Sequence, residues 1–291
     1  MKHILTNHPL DSIANIGVIV RPQSDLSALI KRLNDAFEKH NITLSIESEG
    51  AKFLGMKNGV EFGDLIKSSD MLISLGGDGT LLSVCRRSYG WDIPILGIHA
   101  GQLGFLTDRK ADEIEVCVQD LLKGNYRIDE RMMLEVTLEG EKNSIKTVAF
   151  NEVVFSRASI SSMAKIDAYI DEKPFNAYYG DGVIVCTPTG STAYNISAGG
   201  PIMYPLSKAL IITPICPHSL TQRPLVLPSE FELTLKSSDE TVLVVDGQDT
   251  YDMCEWKQVR VKMAPKTAKL VHSLGRNYFD VLKEKLRWGD A

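Results

Sequence analysis

The chain has 291 residues, of which 44% are hydrophobic and 24% charged, enough for one large domain or two ordinary ones with proper cores. Its formal net charge of −5 gives no basic footprint, which argues against a nucleic-acid partner and leaves room for a small anionic ligand in a local pocket. Thr6, Asn7, His8 and Pro9 interrupt the first apolar stretch, and no later run reaches transmembrane length, so a cytoplasmic protein without a membrane partner is expected.

In chain order, IGVIVRP reads as a buried strand. SDLSALIKRLNDAFEKHN then puts Leu26, Leu29, Ile30, Leu33 and Phe37 on one helical face, with Ser24 as N-cap and Asn41 as the stop. NITLSIES alternates as a second strand, DMLISL is a third, TLLSVCRRSYG the next helix and IPILGI a fourth strand. Strands alternating with helices imply a parallel sheet in an α/β domain over about residues 1–125. After the helical ADEIEVCVQDLLKGN the texture changes. RMMLEVTLEG, KTVAFNEVVFSR, AKIDAYIDEKPF, GVIVCTP, PLVLPSEFELTLK, TVLVVDGQDTYDM and KQVRVKMA are strand-like, an all-β domain over about 126–265. The tail, about 266–291, carries a helix that spaces Tyr278, Val281, Leu282 and Leu286 on one face and is expected to pack back on the first domain. The five cysteines are an odd number without a CxxC pair and read as buried thiols.

The stretch LISLGGDGTLLSV carries the first chemical signal. Gly76, Gly77, Gly79 and Thr80 sit where a strand hands over to a helix, the usual place for backbone N–H groups to cradle a phosphate. Asp78 in their midst would repel that phosphate unless it serves a substrate hydroxyl that attacks it, as base or as metal organiser. A plain Asp-Gly turn is the simpler alternative. There is no GxxxxGK loop, no GxGxxG after a strand, no HExxH and no GxSxG, so Walker-type NTPases, hydride-transfer Rossmann enzymes, zinc proteases and serine hydrolases lose support. Two later stretches are unusually polar. Asn151 and Glu152 break an apolar alternation, and GDGVIVCTPTGSTAYNISAGG ends a buried strand in a loop with Thr187, Thr189, Ser191, Thr192 and Tyr194. Such a loop offers donors and acceptors for a heterocycle and a ribose, with Tyr194 able to stack on a base. A solvated connection is the alternative reading.

GGDGT at 76–80, GIHAGQLGFLTD at 97–108, Asn151-Glu152, GDG at 180–182, TPTGSTAYNISAGGP at 187–201 and VDGQ at 245–248 together resemble the NAD kinases, in sequence and in order, over about three quarters of the chain. GGDGT alone is shared with diacylglycerol-type lipid kinases and in part with phosphofructokinases; the long hydroxyl loop together with GxLGFL is far more specific. The resemblance implies a Rossmann-like first domain and transfer of a phosphoryl group from ATP to the 2′-hydroxyl of the adenosine ribose of NAD, with a divalent metal, Mg²⁺ first among them. It also implies a homo-oligomer, dimer or tetramer. Carried over residue by residue, it makes Asp78 the base with Gly79 beside it, gives Asn151 and Glu152 the dinucleotide's base and ribose hydroxyls, and lines the adenine and nicotinamide ends with Asp181, Thr192, Ala193, Tyr194 and Ser197. Phe105 walls the pocket, Thr189 belongs to the same loop, and Gln248 is a contact, although VVDGQD also reads as a hairpin turn. These residues come from both domains, so the resemblance places NAD between them.

Two positions depart from the family pattern: Ser83, five residues after Asp78, and Tyr179, two before Asp181, stand where many relatives are basic. Arg86 and Arg87 could substitute for the first, against the simpler reading of a solvated helix face. A lipid kinase of the diacylglycerol type and a non-catalytic NAD(P) sensor are the rival functions.

Overall fold

The computed structural model describes residues 10, 12–21, 26–101 and 104–288. Along the chain come β1 (Asn15–Val20), α1 (Ser27–Glu38), β2 (Thr43–Ile46), α2 (Ser48–Phe53), α3 (Phe62–Ser68), β3 (Met71–Gly76), α4 (Asp78–Arg87), β4 (Pro94–His99), β5 (Arg109–Lys110), α5 (Ile114–Leu122) and β6 (Tyr126–Arg131). The β-rich part follows with β7 (Leu134–Glu139), β8 (Ser144–Ala149), β9 (Glu152–Arg157), β10 (Ala164–Ile170), β11 (Lys173–Gly180), β12 (Gly182–Cys186), α6 (Tyr194–Ser197), β13 (Ala209–Ile215), β14 (Leu225–Pro228), β15 (Leu233–Lys236), β16 (Thr241–Val245), β17 (Asp249–Asp252) and β18 (Gln258–Met263). β19 (Ala268–Ser273) and α7 (Tyr278–Leu286) end it. Two compact units result: one ends at Glu130 and resumes at Ala268, the other is Arg131–Thr267.

The first unit is built on a seven-stranded sheet in the order β2-β1-β3-β4-β19-β6, with β5 beside β4. Strands β2, β1, β3, β4, β5 and β19 pair parallel. All six residues of β3 are buried, as a strand covered on both faces requires, and its continuous apolar run is the sequence mark of that position. Helix α1 turns Ile30, Leu33 and Phe37 into the core, each worth about 1.5–3 kcal/mol of burial. Asn41 takes a positive φ of 58° beyond the helix end, a conformation Asn tolerates better than most residues; Ser24, the expected N-cap, lies outside the described residues.

The second unit is antiparallel throughout. One six-stranded sheet runs β11-β10-β15-β18-β7-β8 and the other β14-β13-β12-β9-β16-β17. Their inner faces share one core, in which Val136, Leu138, Val259 and Val261 of the first sheet meet Val153, Phe155, Val183 and Val185 of the second.

Several expectations need correction. The β domain begins at 131 rather than 126, because β6 joins the first sheet, where its buried Arg127 and Asp129 pair with each other. The tail from about 266 is not helical at first: Ala268–Ser273 is a strand that pairs parallel with β4 before α7 begins. KTVAFNEVVFSR is two strands in different sheets, broken at Phe150-Asn151. PLVLPSEFELTLK is likewise divided between the sheets. Of the cysteines, Cys85, Cys117 and Cys186 are buried, but Cys216 and Cys254 are exposed, one just past the end of β13 and the other in a short 3-10 helix. Burial pushes the Cys117 thiol up to about 12.

Candidate active site

The apolar strand β3 delivers the chain to Gly76, Gly77 stands at the N-cap, and Asp78 is the first residue of α4. Asp78-Gly79 is therefore the opening turn of a helix, where a carboxylate is favoured by the helix dipole, and not an isolated β-turn. The Asp78 carboxylate accepts hydrogen bonds from the backbone N–H groups of Phe105 at 2.7 Å, Leu106 at 3.2 Å and Thr107 at 3.1 Å, and from the Thr107 hydroxyl at 3.3 Å. Three aligned N–H donors disperse the negative charge that would otherwise repel a phosphate in the same loop. Glycine at 104 lets the loop come this close, since a Cβ there would lie 2.0 Å from Asp78 Oδ1 and displace the carboxylate or the loop. Gly79 is open to solvent, and the Thr80 side chain packs against Gly76. His99 stands beside Gly77, its Nδ1 accepting the Gly101 N–H at 2.7 Å. Partial burial holds its pKa below the ordinary value despite the nearby Asp78. His99 was not singled out by the sequence patterns, although it lies inside GIHAG.

In the second unit the break between β8 and β9 is organised by one residue that sequence reasoning passed over. Asp246 sits at the start of the β16–β17 turn with a positive φ of 52°, and its carboxylate accepts the N–H groups of Phe150 at 2.6 Å, Asn151 at 2.8 Å and Glu152 at 2.9 Å. That clamp presents two buried acceptors without a protein partner, Asn151 Oδ1 and Glu152 Oε2. The other side of Glu152 is met by the Tyr194 N–H, but burial first and the negative charge of Asp246 second push its pKa up to about 8. Buried polar atoms are ordinarily paired, so these two, on residues adjacent in the chain, are candidates for contact with a ligand.

The hydroxyl loop folds directly onto this break. The Thr187 hydroxyl donates to the Phe150 carbonyl and accepts the Gly190 N–H, while the Thr187 N–H donates to the Asn151 carbonyl. Gly190 passes so close that a Cβ would lie 2.3 Å from that same carbonyl. Ser191 bonds to the Pro188 carbonyl and the Met203 N–H. Two of the five hydroxyl residues thus hold the loop itself and are not offered to a ligand, whereas Thr189 Oγ1 is buried and unpartnered. Thr192 and Ala193 are half-buried, Tyr194 and Ser197 exposed. A cavity of about 470 Å³ brings Glu152, Tyr194 and Asp181 together with Arg157, whose Nε lies 2.9 Å from Asp181 Oδ1. Arg157 is a third residue the patterns did not mark. Phe105 is half-buried beside Asp78, and Gln248 is exposed in the β16–β17 hairpin turn, so the hairpin reading of VVDGQD holds for its backbone.

The suggestion that Arg87 could take a phosphate is overturned. Its guanidinium forms an ion pair with the buried Glu47 and stacks 4.0 Å over the Phe62 ring, contacts that fix α4 within its own unit. Tyr179, at the other departure, is exposed and packs edge-on against His218. Among the described residues no cluster of three or more His, Cys, Asp or Glu could cage a metal ion, and no helix is long and apolar enough to cross a membrane.

Family models place these two halves. That of the ATP-NAD kinase N-terminal domain matches residues 16–126 and that of the ATP-NAD kinase C-terminal domain matches 150–273. The chain belongs to the NAD kinase family. The NAD kinase of Sulfurimonas denitrificans is 49% identical over 280 residues, 96% of this chain and 98% of that protein. The NAD kinase of Wolinella succinogenes is 52% identical over 286 residues, 97% and 98% of the two chains. Among solved structures, yeast NADH kinase complexed with NADH superposes with a TM-score of 0.89 at 26% identity, over 97% of this chain and 89% of that one. An Archaeoglobus fulgidus NAD kinase in complex with ATP shares the fold, with a TM-score of 0.76 at 23% identity over 94% and 98%. The fold class is therefore an α/β first domain with a β-sheet second domain, as NAD kinases have it.

Proposed function

We propose that the chain is an NAD kinase that moves the γ-phosphoryl group of ATP to the 2′-hydroxyl of the adenosine ribose of NAD. It is a phosphotransferase with an alcohol as acceptor; the bond formed joins the ribose oxygen to phosphorus, the bond broken joins that phosphorus to the bridging oxygen, and ADP leaves. The observation that carries the reading is the carboxylate at the head of α4, fixed by three backbone N–H groups within the glycine loop's reach. Asp78 takes the hydroxyl proton as the oxygen attacks. The N-terminus of α4 with Gly76, Gly77, Gly79 and Thr80 receives phosphate oxygens, because the positive end of the helix dipole favours an anion there.

Asn151 and Glu152 bind the adenosine, the orphaned Asn151 Oδ1 accepting from the base's amino group and the Glu152 carboxyl hydrogen-bonding the ribose hydroxyls. Thr189 and Thr192 add hydroxyl contacts, Ala193, Ser197 and Asp181 line the ends of the dinucleotide, Tyr194 stacks on a ring, Phe105 contributes an apolar wall, and Gln248 a polar contact. A divalent cation, Mg²⁺ in this reading, arrives on the ATP phosphates, which commonly supply most of its ligands beside one or two carboxylates. We also infer a cytoplasmic homo-oligomer, as the resemblance to the NAD kinases implies. The test is a coupled assay with NAD and ATP in which NADP formation is followed by an NADP-specific dehydrogenase. Turnover of diacylglycerol with no NADP formed would refute the proposal.

A further inference from the structure

Behind the loop that grips Asp78 lies a buried ionic cluster drawn from the far end of the chain. The segment 105–107 that donates three N–H groups to Asp78 has its carbonyls on the other side, and Arg276 collects them: one amino group donates to the Phe105 carbonyl at 2.5 Å, the other to the Thr107 carbonyl. The same guanidinium reaches Asp108 Oδ1 at 3.1 Å, with only 7% and 2% of the two side chains exposed. Asp108 also accepts the Ser273 N–H at 2.7 Å and has His272 Nδ1 at 3.5 Å and Arg109 Nε at 3.7 Å; burial pushes its carboxyl up, but His272, Arg276 and the Ser273 N–H together hold it well below the usual range. His272 in turn faces Asp129 at 3.7 Å, and Asp129 pairs with Arg127 at 3.0 Å. The backbone of residues 105–107 is thus held by an aspartate through three N–H groups and by an arginine fork through two carbonyls, and the peptide joining Phe105 to Leu106 is gripped at both ends.

We infer that Arg276, anchored by Asp108, is a positioning residue that sets the orientation of the Asp78 carboxylate through the backbone of residues 105–107. The inference rests on Asp78 acting at the substrate hydroxyl and extends it to a residue that touches no substrate. The physical case is one of polarity and geometry. A cation on the Phe105 carbonyl polarises the peptide that joins it to Leu106 and strengthens the Leu106 N–H···carboxylate bond opposite, while the bond to the Thr107 carbonyl fixes the backbone on the far side of the donor run. A planar fork fixes two carbonyls at a set spacing, which lysine, a point charge on a flexible stem, cannot do. Because the cluster is buried, breaking one member leaves charges unpaired, so the loop has one stable arrangement.

The experiment is a double-mutant cycle read by NADP cycling, with melting curves to certify folding. Arg276→Gln is expected to lower kcat about 100-fold with KM for NAD and ATP within about threefold of the parent, because a misplacement on the order of 1 Å costs rate and not affinity. In an Asp78→Asn background the same change is expected to cost less than about twofold more, since both substitutions then act on one element. Arg276→Lys is expected to fall between, and it replaces Arg276→Gln throughout the cycle if the latter does not fold. Parent-like kcat in Arg276→Gln beside a disabled Asp78→Asn, or full multiplication of the two losses, overturns the inference alone. Parent-like turnover in Asp78→Asn overturns the role of Asp78 and the inference with it.

Discussion

Replacing Glu152 by glutamine should make the unliganded protein more stable while weakening its hold on NAD. Burial and the neighbouring Asp246 raise the Glu152 carboxyl from its ordinary 4.5 to about 8, so between those values the folded state binds more protons than the unfolded one. Stability is therefore lost as pH rises through that window, the opposite of the common case of a salt-bridged carboxylate. With these two values the linkage relation gives a penalty of roughly 2 kcal/mol at pH 6, growing to roughly 5 kcal/mol at pH 9. Glutamine keeps the shape and can still accept the Tyr194 N–H, and it carries no charge to desolvate. Urea unfolding of parent and Glu152→Gln should show a stability gap that widens by roughly 2–3 kcal/mol from pH 6 to pH 9. A two-unit chain need not unfold in one step, so the probe must report on the second unit alone. Trp256 is buried there, while Trp91 and Trp288 are exposed in the first unit and can be replaced by phenylalanine. Parallel pH profiles for the two proteins would refute the reasoning, because they would mean Glu152 is charged in the fold at no cost.

Asp78→Asn keeps the size of the side chain and removes the base, and should lower kcat about 10²- to 10⁴-fold with far smaller changes in substrate affinity, as NADP formation will show. Gly104→Ala places a methyl group 2.0 Å from Asp78 Oδ1, so either the carboxylate or the loop must move; turnover should fall about 100-fold. Asn151→Ala removes an acceptor that has no partner in the unliganded fold, so melting should barely shift while calorimetry shows NAD binding weakened by about 1–3 kcal/mol and ATP binding unchanged.

What the chain reveals without a structure follows the range of the interactions involved. Helix α1 is legible because its contacts recur every three or four residues, and β3 because its burial on both faces leaves an unbroken apolar run. The short helices α2 and α3 carry too few turns for a period to emerge. β13 was hidden by Pro214, which is tolerated because β14 pairs only with Ala209–Ile212 and leaves that edge open where the N–H is missing. β19 was hidden by distance: AKLVHS is short and half-polar, and its place beside β4 is decided by chain that lies far away in sequence. Asp78, Asn151 and Glu152 could be found from local composition. Arg157, Arg276 and Asp246 could not, since each acquires its chemistry only from a remote partner.

Asp246 shows why a motif can be read correctly and its meaning still missed. VDGQ looks like turn chemistry, and it is: the β16–β17 hairpin turns there, with Asp246 and Gly247 both at positive φ. The same geometry that makes aspartate acceptable in the turn points its carboxylate at three consecutive N–H groups of the break between β8 and β9. Asp78 does the same to Phe105, Leu106 and Thr107 in the other unit. In each unit an aspartate gathers successive N–H donors from a break in regular structure, which satisfies groups that no sheet or helix can pair. The difference lies in what each clamp leaves over. In the first unit the aspartate at the head of a helix is the gathering group itself; in the second the clamped strand break carries Asn151 and Glu152 with oxygens unpaired. A clamp made of backbone donors tolerates change in the side chains it holds, so substitutions at 151 or 152 should alter recognition without unmaking the fold, whereas loss of Asp246 would leave three buried N–H groups without an acceptor.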